Sequence, residues 1–180
     1  MRAAGAAPSR AHGTAAPSSS AASSRLPSLG RRGEGWVALQ VALLAAALVA
    51  GLLGAAWPRE ASRWLAAAGG LAALVGAGLL VGGGAGLGRQ LTPFPKPVAD
   101  GELRQRGVYR LVRHPMYGGA LLVMLAWALV SSPLALLPLG LAGAFLDAKR
   151  RREEAWLVEQ HPGYAEYRRH VRRRFIPFVW

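Results

Sequence analysis

Arg110, Arg113 and His114 sit within the run Gly107-Val-Tyr-Arg-Leu-Val-Arg-His-Pro-Met-Tyr117, and two carboxylates, Glu153 and Glu154, stand side by side about 40 residues later. Guanidinium, imidazole, carboxylate and phenol groups together at a lipid boundary suit a charged, water-soluble ligand that meets a lipid-borne partner. Nothing from Pro115 to Leu146 is charged, so the first set lies at the mouth of an apolar stretch. Charged groups are costly in hydrocarbon and persist at its edge where they line a site or anchor to headgroups.

Singly, each residue has a plainer use. His114 can contact a headgroup, Pro115 can open a helix, and Arg110 and Arg113 can orient the chain in a membrane. Glu153 and Glu154 can pair with Lys149 and Arg150 along a helix, and Tyr109 and Tyr117 suit an interfacial belt.

The elements that must position these groups are apolar spans. Trp36 to Trp57 is uncharged, with Gln40 as its one polar side chain, and a helix of that length covers roughly 33 Å. Tryptophan at both ends suits the aromatic belts. After Pro58-Arg-Glu60, Trp64 to Gly88 forms a second span rich in glycine, in which Gly78/Gly82 and Gly82/Gly86 have the spacing that lets helices approach closely. A phosphate-cradling loop would need a preceding strand and a following Lys-Ser/Thr, and both are missing from the pattern.

Gln90 to His114 reads as a polar loop stiffened by the prolines of Thr92-Pro-Phe-Pro-Lys-Pro97. Pro115 to Leu146 is broken by Ser131-Ser-Pro133, a turn signal, and therefore reads as two short helices, 115–131 and 133–147, in a tight hairpin. The fold class expected is an all-α integral membrane protein of about four transmembrane helices, spanning 36–57, 64–88, 115–131 and 133–147. A segment 148–180, basic and then acidic before an aromatic helical pattern, follows on the loop side. Of the 22 Lys and Arg, only Arg59 and Arg63 fall on the opposite side, which predicts that both termini and the polar loop are cytoplasmic.

The net charge of +13 flanks apolar spans, so it implies anionic headgroups of a bilayer as partner and not nucleic acid. Residues 1–35 hold almost no bulky apolar side chains and read as a disordered cytoplasmic tail ahead of a single domain, 36–180. With no cysteine in the chain, disulfides, thiolate catalysis and cysteine-held metals are excluded, and no metal site is expected. If the hairpin closes, the Tyr109/Arg113/His114/Tyr117 group and the Glu153/Glu154 pair become neighbours on the cytoplasmic face.

The full pattern, Gly107 to Tyr117, an apolar hairpin, Glu153-Glu154, then Leu157, Tyr164, Tyr167 and Phe175-Ile-Pro177, resembles the isoprenylcysteine carboxyl methyltransferase family and the related phospholipid methyltransferases. The resemblance covers roughly residues 36–178. It implies a membrane helix bundle that uses S-adenosylmethionine to methylate a lipophilic or membrane-partitioned acceptor. By position it implies a cofactor site of Gly101, Glu102, Leu103, Arg104, Tyr109, Arg113, His114, Pro115, Met116, Tyr117 and Glu153. Acceptor contacts would come from Lys149, which stands where the family usually has arginine, with Arg150 and Glu154.

A carboxylate acceptor is already ionised near neutral pH, whereas an amine must first lose a proton, for which His114, Glu153 and Glu154 are the candidates. The Ala/Gly/Arg-rich composition points to a bacterial inner (plasma) membrane. Two other readings compete: an NADPH-dependent membrane reductase of the sterol or enone type, and a non-catalytic membrane module or small transporter.

Overall fold

The computed structural model describes residues 29–30, 33–94 and 101–179. Most of the tail expected at 1–35, and residues 95–100 of the proline-rich loop, lie outside the described residues. Five α-helices account for most of the rest: α1 (Glu34–Leu53), α2 (Arg59–Leu87), α3 (Pro115–Val130), α4 (Leu136–Gln160) and α5 (Tyr164–His170). No strand occurs among the described residues.

Helices α1 and α2 are long and apolar enough to cross a membrane. Their outer faces carry large apolar side chains that no protein atom covers. Leu53, Leu74 and Val81, together with Leu137 of α4, are each two-thirds or more exposed. An exterior of this kind is unstable against water and matches a hydrocarbon surround.

The starts and stops follow local chemistry. Pro58 precedes α2, whose first turn holds Glu60 near the positive end of the helix dipole. Gly88, with φ +52° and ψ −122°, takes a backbone conformation that favours glycine and ends the helix. Pro115 is the first residue of α3, where its missing N–H costs nothing. The Ser132 hydroxyl accepts from the Leu134 amide, and Pro133 opens the short 3₁₀ turn into α4.

Two features differ from the sequence expectation. The last apolar helix does not end at Asp147 but continues to Gln160, because Asp147 pairs with Arg151 and Arg150 with Glu154 one turn apart. The charged run therefore extends the helix out of its apolar arm, Leu136–Leu146. In addition, the broadest helix–helix interface joins α3 to α2 rather than to α4.

Glycine explains the second difference. Gly69, Gly76 and Gly83 recur every seven residues on one face of α2, and they meet Ala126, Gly119 and Met116 in turn, so the helices run antiparallel. At the closest point a β-carbon on Gly119 would lie 2.7 Å from the Gly76 carbonyl oxygen, which no larger residue tolerates without shifting the backbone. Gly78, by contrast, faces open space.

Helix α1 lies across α4 and the 131–135 turn. Trp36 is buried against Phe145 with ring centroids 5.5 Å apart, and the indole N–H of Trp127 on α3 donates to the Ala47 carbonyl at 3.0 Å. The Trp57 indole donates to the Ala128 carbonyl at 2.9 Å. Both tryptophans at the ends of the first span thus bind neighbouring helices.

Candidate functional site

The polar ends of α2, α3 and α4 surround a cleft of about 900 Å³, measured out to open solvent. Its floor is the start of α3, and one wall is α4 beyond its apolar arm. The 101–104 segment and the 3₁₀ turn Gly107–Arg110 close another side. Gly101, Glu102, Leu103, Arg104, Tyr109, Arg113, His114, Pro115, Met116, Tyr117 and Glu153, far apart in sequence, all line this one cleft.

Lys149, Arg150 and Glu154 do not line it. Lys149 is buried, with its ammonium donating to Gln40 Oε1 at 2.6 Å and to the Pro93 carbonyl at 3.1 Å, and lying 5.4 Å from the centre of the Tyr117 ring. Burial depresses its pKa, partly offset by the nearby Glu153 carboxylate. Arg150 is held by Asp147 at 2.9 Å and by Glu154 at 3.1 Å.

Glu154 is the hub of a buried charge network. Its Oε1 accepts from Arg113 Nε at 2.9 Å and lies 3.0 Å from His114 Nε2, while its Oε2 accepts from Arg150. Burial alone would raise its pKa. The hydrogen bond and charge of His114, with those of Arg113, outweigh burial and hold the carboxyl well below the usual range. Arg113 is further committed: its Nη1 donates to the carbonyls of Val171 at 2.7 Å and Arg172 at 2.8 Å.

The segment after α5 is strapped across this network. The backbone amides of Arg113 and His114 donate to the carbonyls of Arg173 and Arg174. Phe175, fully buried, meets the His114 and Tyr117 rings edge-on at 6.3 and 6.1 Å. Gly118 allows this, since a side chain there would occupy the position of the Phe175 carbonyl.

What faces the cleft is a surface of mixed charge and aromatic rings. Glu153 Oε2 accepts from the Tyr117 hydroxyl at 2.7 Å, and the His114 ring stacks on Tyr117 at 5.4 Å with 6° between planes. The chain has four tyrosines and all of them line the cleft. The Tyr109 hydroxyl donates to the Gly83 carbonyl, and that of Tyr167 to the Tyr109 carbonyl. Tyr164 is 2% exposed, and its hydroxyl has no partner among the described residues.

A buried, unpartnered phenol beside carboxylate, imidazole and guanidinium groups fits a ligand with mixed charge and hydrogen-bonding oxygens, as S-adenosylmethionine has. Once the Gln90 amide is oriented by its partners, it bridges Glu102 O at 3.1 Å and Glu102 N at 3.0 Å and fixes the 101–104 wall.

Sequence reasoning about the site missed Leu87, Gln90, Phe94 and His161, which also line the cleft. His161 follows directly on the last residue of α4, and its place at the pocket depends on α4 running unbroken past Asp147. Leu157, Tyr164 and Tyr167 belonged to the recognised pattern but carried no assigned role.

Among known families, the model described as phospholipid methyltransferase matches residues 64–162, over half of the 180 residues. The match takes in α2, the cleft-forming loop, α3 and α4, and it excludes α1. No curated protein matches the chain.

Proposed function

The chain belongs to the phospholipid methyltransferase family, and from that premise we propose that it uses S-adenosylmethionine to methylate a lipid-type acceptor at the cytoplasmic face of a bacterial plasma membrane. In this reading α1, α2, α3 and the apolar arm of α4 are four membrane-embedded elements. Both termini and the cleft share the side that carries nearly all the Lys and Arg, next to anionic headgroups. The observation that carries the reading is the convergence of residues 101–104, 109, 113–117 and 153 on one cleft at the end of an apolar helix bundle.

S-adenosylmethionine, when bound, supplies an electrophilic methyl group on a sulfonium. Glu153 would hold the ammonium of its amino-acid end, with Arg104 and His114 on the carboxylate. The faces of Tyr109 and Tyr117 would support a cation or the adenine. The Tyr117 hydroxyl fixes Glu153, and the Glu154 network fixes His114, so both groups are in place before ligand arrives. Methyl transfer is an in-line displacement, and such fixed positioning can supply most of its acceleration.

Lys149, Arg150 and Glu154 act in this proposal as the frame behind the cleft, since their charges are spent on protein partners. The acceptor would enter from the apolar side. If it is an amine, Glu153 is a carboxylate within the cleft that can take its proton, and a carboxylate acceptor needs none.

The decisive experiment is binding of S-adenosylhomocysteine to purified protein in detergent, followed by mass spectrometry of lipid extracts incubated with isotopically labelled S-adenosylmethionine. Binding together with a labelled lipid product supports the reading, and absence of binding rejects it.

A further inference from the structure

The four cleft tyrosines are not equivalent. Tyr109, Tyr117 and Tyr167 each spend the hydroxyl on a protein acceptor, at 3.2, 2.7 and 2.6 Å. Tyr164 has none among the described residues, although the residue is almost wholly buried. Its ring is fixed from several sides: the backbone amide donates to the His161 carbonyl at 2.9 Å, and the ring packs edge-on against Tyr167 at 5.8 Å.

A buried hydroxyl without a partner costs free energy, so a fold that keeps one needs a compensating use. Phenylalanine would fill the same space without that cost. Tyr164 lines the cleft together with Arg113, His114 and Glu153. Burial raises the phenol's pKa, and the Glu154 and Glu153 carboxylates raise it further, with Arg113 acting in the opposite sense. Tyr164 therefore stays protonated throughout the ordinary pH range and can serve as a donor.

We infer that the Tyr164 hydroxyl is a ligand-binding group, donating a hydrogen bond to an oxygen of the bound S-adenosyl cofactor. The inference rests on the proposed methyltransferase reading and adds to it a contact made only in the bound state. A donor that is idle in the free protein and satisfied in the complex contributes its hydrogen bond to affinity at the expense of the free protein's stability.

Tyr164→Phe tests this through two readouts of opposite sign. Without ligand, the variant in detergent should melt higher than wild type, by roughly 2–4 °C, because an unsatisfied buried hydroxyl has been removed. Its affinity for S-adenosylhomocysteine, measured by calorimetry, should fall by roughly three- to tenfold. Tyr167→Phe provides the contrast: its hydroxyl is donated to the Tyr109 carbonyl, so its ligand-free melting temperature should drop.

The inference is overturned if Tyr164→Phe melts lower than wild type or fails to fold, since the hydroxyl would then have a structural partner. Unchanged affinity for S-adenosylhomocysteine in the variant also overturns it, and leaves the methyltransferase reading intact. If wild type itself does not bind S-adenosylhomocysteine, both fall together.

Discussion

Replacing Glu154 by glutamine is the sharpest test of the buried charge network. The carboxylate accepts from Arg113 and Arg150 and is bonded to His114, all within 3.1 Å, and its side chain is 5% exposed. Glutamine keeps the size but has one acceptor oxygen. Whichever way the amide turns, its NH₂ faces either Arg150 or the Arg113/His114 pair, and Arg113 loses its countercharge while Arg150 keeps only Asp147. Removing one partner from a buried ion pair costs about 3–5 kcal/mol.

For a chain of this length each kcal/mol moves the melting midpoint by roughly 2–4 °C, so Glu154→Gln should melt on the order of 10 °C lower at pH 7. The pH dependence has a definite sign. The folded-state pKa lies below the ordinary value of 4.5, so the carboxylate's contribution is fully present above that value. It is lost as pH falls from there toward the folded pKa. The gap between wild type and variant should therefore be constant above about pH 5 and narrow below it. A thermal melt followed by intrinsic fluorescence in detergent, repeated from pH 4 to 8, provides the data. A gap under about 2 °C at pH 7, or one that widens on acidification, would refute the reasoning.

Glu153→Gln should leave the fold intact but weaken S-adenosylhomocysteine binding by roughly tenfold or more in calorimetry, because a charged hydrogen bond becomes a neutral one; His114→Ala should weaken it as well. Gly119→Ala should destabilise by about 1–3 kcal/mol, since its β-carbon meets the Gly76 carbonyl, while Gly78→Ala, facing open space, should be neutral or mildly stabilising. Comparing the two melts separates close packing from helix propensity. Gln40→Ala removes the shorter of the two hydrogen bonds made by the buried Lys149 ammonium, leaving the Pro93 carbonyl, and should cost about 1–3 kcal/mol. Adding Lys149→Met should recover part of that loss, and strictly additive melts would count against the tie.

Much of this architecture can be read from residue order. The uncharged runs and their proline and glycine punctuation give the helices, because length and hydrophobicity alone decide what can cross a bilayer. The cleft is likewise readable from the Gly107–Tyr117 pattern and the paired acids. The seam of α2 was not, because its eight glycines offer several spacings. The four-residue pairs at Gly78, Gly82 and Gly86 look as suitable as the seven-residue series Gly69, Gly76 and Gly83 that packs on α3.

The division of labour between Glu153 and Glu154 was equally hidden. Adjacent helical residues point about 100° apart, so one can face the cleft and the other the interior. Only the partners Arg113, His114 and Arg150 show which is which. Lys149 is a similar case, since its acceptor Gln40 lies on α1, 109 positions away.

The strap formed by residues 171–175 has a consequence for biosynthesis. In the proposed membrane arrangement, α1, α2 and α3 would enter the bilayer during synthesis while the strap does not yet exist. Until Phe175 is made, His114 and Arg113 lack the carbonyls that receive their amides, and the charges at the mouth of α3 remain incompletely matched. Insertion and maturation of the cleft are thus separate events in time. A nascent chain stalled before the strap would sit in the membrane as a correctly threaded but ligand-blind intermediate.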